Sequence, residues 1–247
     1  MDPLVLLGLA GAGLAAGFVD AIAGGGGLIG LPALLLAGVP PVAALATNKA
    51  QGVVGTAIAV YTYWRAGFVP LRAVALGVAA AFAGGFVGAF VVERLDTSLL
   101  RSVVPFALIA IAAYFMFAPR LTDADSRARL SFGSFVPVMG FGIGFYDGLL
   151  GPGTGSFFTI GFIALFGLGV TRAAGHTKAL NLASNLGALV LFMFGGHVLW
   201  HLALVMAAGQ VAGGWLGARV GIRHGARIIR PLVVVVSIAL AIRLLLP

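Results

Sequence analysis

The chain has 247 residues, 61% of them hydrophobic and 9% charged, with a mean hydropathy of +1.11, a balance far from that of soluble globular domains. It contains no cysteine, which excludes disulfides and thiolate metal sites. Its net charge of +8 does not point to a nucleic-acid partner, because most of the thirteen arginines (15 basic residues less two lysines) fall in short loops between apolar runs, where positive-inside bias and anionic headgroups account for them.

Apolar runs of a length that crosses about 30 Å of hydrocarbon as helix can be drawn at 3–23, 25–43, 47–64, 69–92, 98–118, 131–150, 154–172, 177–195, 199–221 and 227–246. No stretch alternates apolar and polar residues with period two, so a β-barrel is not expected and the chain reads as an all-α polytopic membrane protein. The first run ends in Ala-Ile-Ala, as a signal-peptidase site would. It lacks a basic segment in front, and its end recurs later in the chain, so a retained helix is expected. Gly24 to Gly27 interrupt the apolar pattern, Pro40 and Pro41 are read as the end of the segment after them, and "TNKAQGVVGT" as the start of another. In the second half "GPGTGS" (151–156) and "GHTK" (175–178) are read as helix starts in the same way.

The sequence matches itself. "GFVDAIAG" (17–24) returns as "GFYDGLLG" (144–151), which sets Asp147 127 residues after Asp20. From the lysines onward the offset is 129: Lys49 with Lys178, Gly84, Gly85 and Gly88 with Gly213, Gly214 and Gly217, Arg94 with Arg223. Two repeats are therefore expected, 1–120 and 131–247, joined by a polar linker at 121–130. Loop 65–72 carries Arg65 and Arg72 where its counterpart 194–201 has no Lys or Arg, and loop 219–230 carries four arginines where 93–101 has two, offset by Glu93 and Asp96. Equivalent loops of opposite charge character imply opposite orientations, hence inverted-topology repeats with an odd number of crossings each.

The chain has only two lysines, and both occupy equivalent positions; Asp20 and Asp147 are equivalent too and lie within apolar runs. Inverted repeats with Gly- and Pro-interrupted segments in matching places are the sequence pointer to a transporter's central site, since backbone donors without partners are tolerated only where they line a cavity or meet a ligand. Helix N-termini favour anions, and a lysine beside each strengthens that preference. Lys178, Asn181 and Asn185 share one helical face, with Ser184 close to it, and the first half answers with Lys49, Gly52 and Thr56. Thr47, Thr154 and Thr177 supply hydroxyl donors. The plainer reading, a lysine snorkelling to the headgroups, fits the symmetric pair less well than it fits either lysine alone. For Asp20 and Asp147 the pattern leaves three roles open: capping the glycine turns, pairing with the lysines, and carrying protons. His197 and His201 are spaced as in some metal sites but lack the glutamate of that motif, and no metal or cofactor is expected.

"AGGGGLIGLPALLLAGVPPVAALATNK" together with "GLLGPGTGSFF" resembles the TauE/SafE (TSUP) family of sulfite and organosulfonate exporters over nearly the whole chain. The resemblance implies a plasma-membrane protein of about eight to ten helical segments, some broken or re-entrant, that moves small sulfur-containing oxyanions or related organic anions. The family's glycine motifs fall on Gly24, Gly25, Gly26 and Gly27 and on Gly151, Gly153 and Gly155, and its "TNK" on Thr47, Asn48 and Lys49. The second half departs from that signature with "HTK", which adds His176 as a cation at low pH and breaks strict symmetry.

The expectation is a secondary transporter, an exporter, that holds a small inorganic or organic anion between its halves. Lys49, Lys178, the freed amides, Asn48, Asn181 and Asn185 would be the ligands. A passive anion channel, and an intramembrane enzyme acting on lipid phosphates through Asp20 or Asp147, are the alternatives; no nucleophile with an adjacent base is visible for the latter. "AGGFVGA" and "AGGWLGA" are faces for close helix packing, within the protomer or in a homodimer.

Overall fold

The computed structural model describes residues 2–94 and 123–225, with 227–229, 231, 232, 235 and 238. The expected runs at 98–118 and most of 227–246, and the boundary at 120, lie outside the described residues. The helices are α1 (Pro3–Ala23), α2 (Gly27–Leu36), α3 (Pro41–Arg65), α4 (Leu71–Val92), α5 (Phe132–Leu149), α6 (Thr154–Ala164), α7 (Val170–Phe194) and α8 (Trp200–His224), and no strand occurs among the described residues. Three of them, α1, α4 and α7, meet both the length and the apolarity required of a membrane span. The protein is an all-α polytopic membrane protein.

Local chemistry sets the ends. Asp2 caps α1 by accepting the Leu4 N–H at 2.9 Å, with Pro3 in the first turn, and Gly24 closes the helix at φ 75°, a left-handed conformation suited to glycine. Gly153, at φ 84°, turns the chain into α6 in the same way. Helices α2 and α6 have 10 and 11 residues, about 15 Å of rise each, half of what a crossing needs.

Two expected boundaries are corrected. Helix α3 starts at Pro41 and α7 at Val170, so each lysine lies eight residues inside its helix and not at a helix start. Pro41 is not part of a stop: proline, with its fixed φ and missing N–H, suits the first position of a helix, and Pro41 opens α3. The N-termini facing the centre are those of α2 and α6.

Among the described residues the helices run twice in the order long, short, long, long, and their main pairings recur when the halves are exchanged. Helix α1 packs along α8 and α4 along α5, α3 meets α8 as α4 meets α7, and α3 and α7 cross at the centre. Glycines set the two long seams. A Cβ on Gly84 or Gly88 would run into the carbonyls of Phe141 or Phe145, and one on Gly213 or Gly217 into those of Leu14 or Phe18. The small-residue faces are thus used inside the protomer, where lipid offers no hydrophobic drive and close backbone approach supplies the attraction. The apolar core lies against α6, where Phe158, Phe162 and Phe166 pack with Ile22, Tyr63 and Leu180.

The described part of the linker is docked on the start of α7. Asp123 Oδ1 accepts from the Thr171 N–H (3.0 Å) and hydroxyl (2.6 Å), Asp125 Oδ1 accepts from the Gly169 N–H (2.8 Å), and Asp125 also pairs with Arg172. These carboxylates take the free donors at a helix N-terminus that has no capping side chain of its own.

Candidate functional site

The two glycine breaks meet at the centre, where the Gly155 N–H donates to the Gly24 carbonyl at 3.2 Å and the Ser156 hydroxyl to the Ala23 carbonyl at 2.9 Å. A Cβ on either Gly24 or Gly155 would overlap the other's backbone, which is why this crossing uses glycine twice. Beside it lies a polar cavity of about 20 Å³, the scale of a water molecule. From the first half it is lined by Asp20, Gly24, Gly26 and Gly27, and by Asn48, Lys49, Gln51, Gly52 and Thr56 of α3. The second half contributes Asp147, Gly151, Thr154, Asn181, Asn185 and Gln210.

Each intramembrane carboxylate pairs with the lysine of the other half. Lys49 Nζ lies 2.7 Å from Asp147 Oδ1, and Lys178 Nζ lies 3.6 Å from Asp20 Oδ2 while donating to the Asp20 backbone carbonyl. Both lysine side chains are 1% exposed, so neither snorkels to the headgroups. Of the roles left open for the acids, both pair with a lysine, and Asp20 alone accepts a backbone N–H of a glycine turn. Asp20 Oδ1 accepts from the Gly26 N–H (3.3 Å) at the start of α2 and Oδ2 from the Thr56 hydroxyl (3.2 Å). Asp147 Oδ1 accepts from the Thr154 hydroxyl (2.7 Å) at the start of α6 and Oδ2 from the Ser184 hydroxyl (2.8 Å). The α2 N-terminus thus already donates to a carboxylate of the chain itself, and the α6 N-terminus meets one through the Thr154 hydroxyl.

The other expected ligands divide. Asn48, Asn181, Asn185, Gly26, Gly27 and Thr154 line the cavity with Lys49. Gly25, Gly153 and Gly155 shape the breaks behind it. Lys178 stands behind Asp20 and is not in the wall. The Thr47 hydroxyl accepts the Leu199 N–H at 3.0 Å and so caps α8, and the Thr177 hydroxyl bonds that of Thr159 at 3.1 Å. His176 is buried between the rings of Phe132 and Phe162, its Nδ1–H donating to the Arg172 carbonyl at 2.8 Å.

Sequence reasoning missed Gln51 and Gln210. They are the only two glutamines in the chain, so the count that singled out the lysines would have found them. Gln210 Nε2 donates to Gln51 Oε1, and Gln51 Nε2 donates to Asn48 Oδ1 at 2.8 Å, a chain of amides along one wall. All five amide side chains of the protein, three Asn and two Gln, line this cavity. Among the described residues no group of His, Cys, Asp and Glu has the arrangement of a metal site. The arrangement offers one wall-lining ammonium and several N–H and O–H donors, which suits reversible binding of a polar ligand.

The profile of the family described as "Sulfite exporter TauE/SafE" matches residues 9–244. "Probable membrane transporter protein ORF9" of Sinorhizobium sp is 48% identical over 230 residues, covering 93% of this chain and 88% of that protein. "Probable membrane transporter protein YfcA" of Escherichia coli K12 is 40% identical over 245 residues, 99% of this chain and 91% of that protein. A "Probable membrane transporter protein" of Haemophilus influenzae is 41% identical over 225 residues, 91% and 88% of the two chains. No solved structure matches. Profile and relatives span nearly the full length, and the chain belongs to the TauE/SafE family of membrane transporter proteins.

Proposed function

We propose that the protein carries small sulfur oxyanions, sulfite or organosulfonates, outward across the plasma membrane as a secondary transporter, with the substrate held between the two halves. The observation that carries this reading is the convergence of all five amide side chains, Lys49 and the N-termini of α2 and α6 on one buried cavity. An oxyanion presents three or more acceptor oxygens, and such a wall answers them with fixed donors. The family description names sulfite, and the exchange symmetry of the helix contacts supports two inverted repeats moving about that cavity. At about 20 Å³ the space is too small for a sulfonate, so binding requires the walls to part. A space this small favours a carrier that opens to each face in turn over an open pore. An anion that moves with its charge gains about 2.3 kcal/mol per 100 mV of inside-negative potential on leaving the cell.

The test is thermal stabilisation of the purified protein by sulfite, sulfate, methanesulfonate, phosphate and acetate. A ligand at about 100 times its Kd adds about 2.7 kcal/mol of apparent stability. Stabilisation by sulfite and sulfonate above carboxylate is expected, and its loss in the Lys49→Met, Asp147→Asn protein, which removes a charge pair together and leaves no buried charge without a partner. Equal stabilisation of both proteins, or none by any sulfur oxyanion, would overturn the assignment.

A further inference from the structure

The charges around the cavity cancel. Asp20 and Asp147 stand against Lys49 and Lys178, and the remaining lining residues are Gly, Asn, Gln and Thr. An anion entering this site therefore meets no spare positive charge, since each ammonium already has a carboxylate, the α2 N-terminus donates to Asp20, and the first N–H groups of α6 donate to backbone carbonyls. A buried charge left uncompensated is costly, and a compensating cation must arrive with the anion or one of the carboxylates must be neutralised.

The two carboxylates are not equally held. Asp147 has the Lys49 ammonium at 2.7 Å and hydroxyls at 2.7 and 2.8 Å, and its side chain is 2% exposed. Asp20 has its bonds at 3.2 and 3.3 Å and its lysine at 3.6 Å, the ammonium donating instead to the backbone carbonyl, and its side chain is 13% exposed. Asp20 is thus the carboxylate that loses least on taking a proton and the one a proton reaches. The titratable groups facing it are Lys178 from α7 and Lys49 from α3, with Asp147 across the cavity; α2 and α6 contain none, and those of α8, His201, Arg219, Arg223 and His224, are exposed.

We propose that Asp20 is the proton site of the transport cycle, so that the substrate anion crosses with one proton. The inference rests on the anion-carrier reading above. A proton from the solution on the loading side adds to Asp20 Oδ2, the anion takes the charge balance that the carboxylate gave up, and both leave on the other side as the Asp20–Lys178 pair re-forms. For a monovalent anion the step moves no net charge. An inside-negative potential then neither drives nor opposes it, and export runs on the anion's own gradient, aided where the inside is the more acidic side and opposed where it is the more alkaline.

The experiment uses the full-length protein in proteoliposomes of phosphatidylcholine and phosphatidylglycerol, with potassium and valinomycin clamping the potential at zero. The probe is radiolabelled methanesulfonate, a strong-acid anion that carries no proton of its own near neutrality, and a trapped pH dye reads the lumen. Inward methanesulfonate flux is expected to acidify the lumen by one proton per sulfonate, and a gradient of one pH unit to hold about a tenfold methanesulfonate gradient. Calorimetry in two buffers of different ionisation enthalpy should show one proton taken up per methanesulfonate bound. In Asp20→Asn the proton-to-sulfonate ratio falls to zero, whatever the rate, and in Asp20→Glu it stays at one. Flux or binding without proton uptake in the unaltered protein overturns the proposal and leaves the carrier reading standing. A ratio of one in Asp20→Asn overturns the assignment to Asp20. No methanesulfonate binding or flux at all removes the sulfonate reading, and the proposal with it.

Discussion

The backbone N–H of Gly155 donates to the carbonyl of Gly24 at 3.2 Å, so the break that ends α1 rests directly on the first turn of α6. Contact this close leaves no room for a side chain at either position. Gly155→Ala places its Cβ on the Gly24 backbone and pushes apart the two segments that carry Asp20 and Thr154. The expected cost is in the range of core overpacking, about 1–3 kcal/mol, read as a lowered melting temperature in detergent. Gly133→Ala, in α5, is the control. A Cβ there meets nothing within 4 Å, and alanine's helix propensity should leave stability unchanged or raise it by up to about 1 kcal/mol.

Lys49 and Asp147 are a buried pair, and removing one member leaves the other charge without a partner. Lys49→Met alone is expected to cost about 3–5 kcal/mol, and the Lys49→Met, Asp147→Asn protein markedly less. The asparagine side chain introduced there can keep bonds to the Thr154 and Ser184 hydroxyls, which now hold Asp147 at 2.7 and 2.8 Å. A double-mutant cycle on unfolding in denaturant measures the coupling. Additive costs for the two single changes would mean the 2.7 Å approach contributes nothing.

How much of this was legible beforehand depends on which signal a residue left. Rarity was the strongest. Two lysines and two aspartates at equivalent places in an apolar chain marked the site, and the structure joins each lysine to the aspartate of the other half. The glycine breaks were legible because left-handed turns and backbone crossings admit little else, and Gly24 and Gly153 adopt those turns. The starts of α3 and α7 were not. Both begin one to two turns before the polar motifs, and local polarity pulled the expected boundary toward Thr47 and Thr177. Partner choice was hidden as well. Nothing in the spacing of Thr47 says that its hydroxyl caps a helix beginning at Trp200, because that contact exists only once α3 and α8 have packed.

The sequence pattern makes His176 an added positive charge at the site at low pH, but its ring lies between Phe132 and Phe162, outside the cavity wall. It packs there, with hydrogen bonds to the Arg172 carbonyl and to the backbone of Phe68. His176→Phe, which keeps an aromatic ring and gives up those bonds, should cost about 1 kcal/mol for each. Anion affinity at pH 6 and pH 8 should match that of the unaltered protein within a factor of two. A tenfold loss of affinity confined to pH 6 would return His176 to the binding site.

The linker is tied to α7, the helix that carries Lys178, Asn181 and Asn185. Asp123 accepts two bonds from Thr171, and Asp125 accepts one from Gly169 and pairs with Arg172 at the surface. The Asp125–Arg172 pair is nearly half exposed, at 41% and 47%, so salt should screen it and its net worth should not exceed about 1 kcal/mol. The cap bonds are less screened, since they satisfy backbone donors that have no helical acceptor. Asp123→Ala is therefore expected to cost about 0.5–2 kcal/mol, with faster amide exchange concentrated at the α7 start, Val170 to Ala173. Asp125→Asn, which keeps an acceptor for the Gly169 N–H but gives up the charge, should change exchange there by much less, and 0.5 M salt should reproduce its effect. If Asp123→Ala instead speeds exchange evenly along the chain, the linker stabilises the whole bundle and not the end of α7 alone.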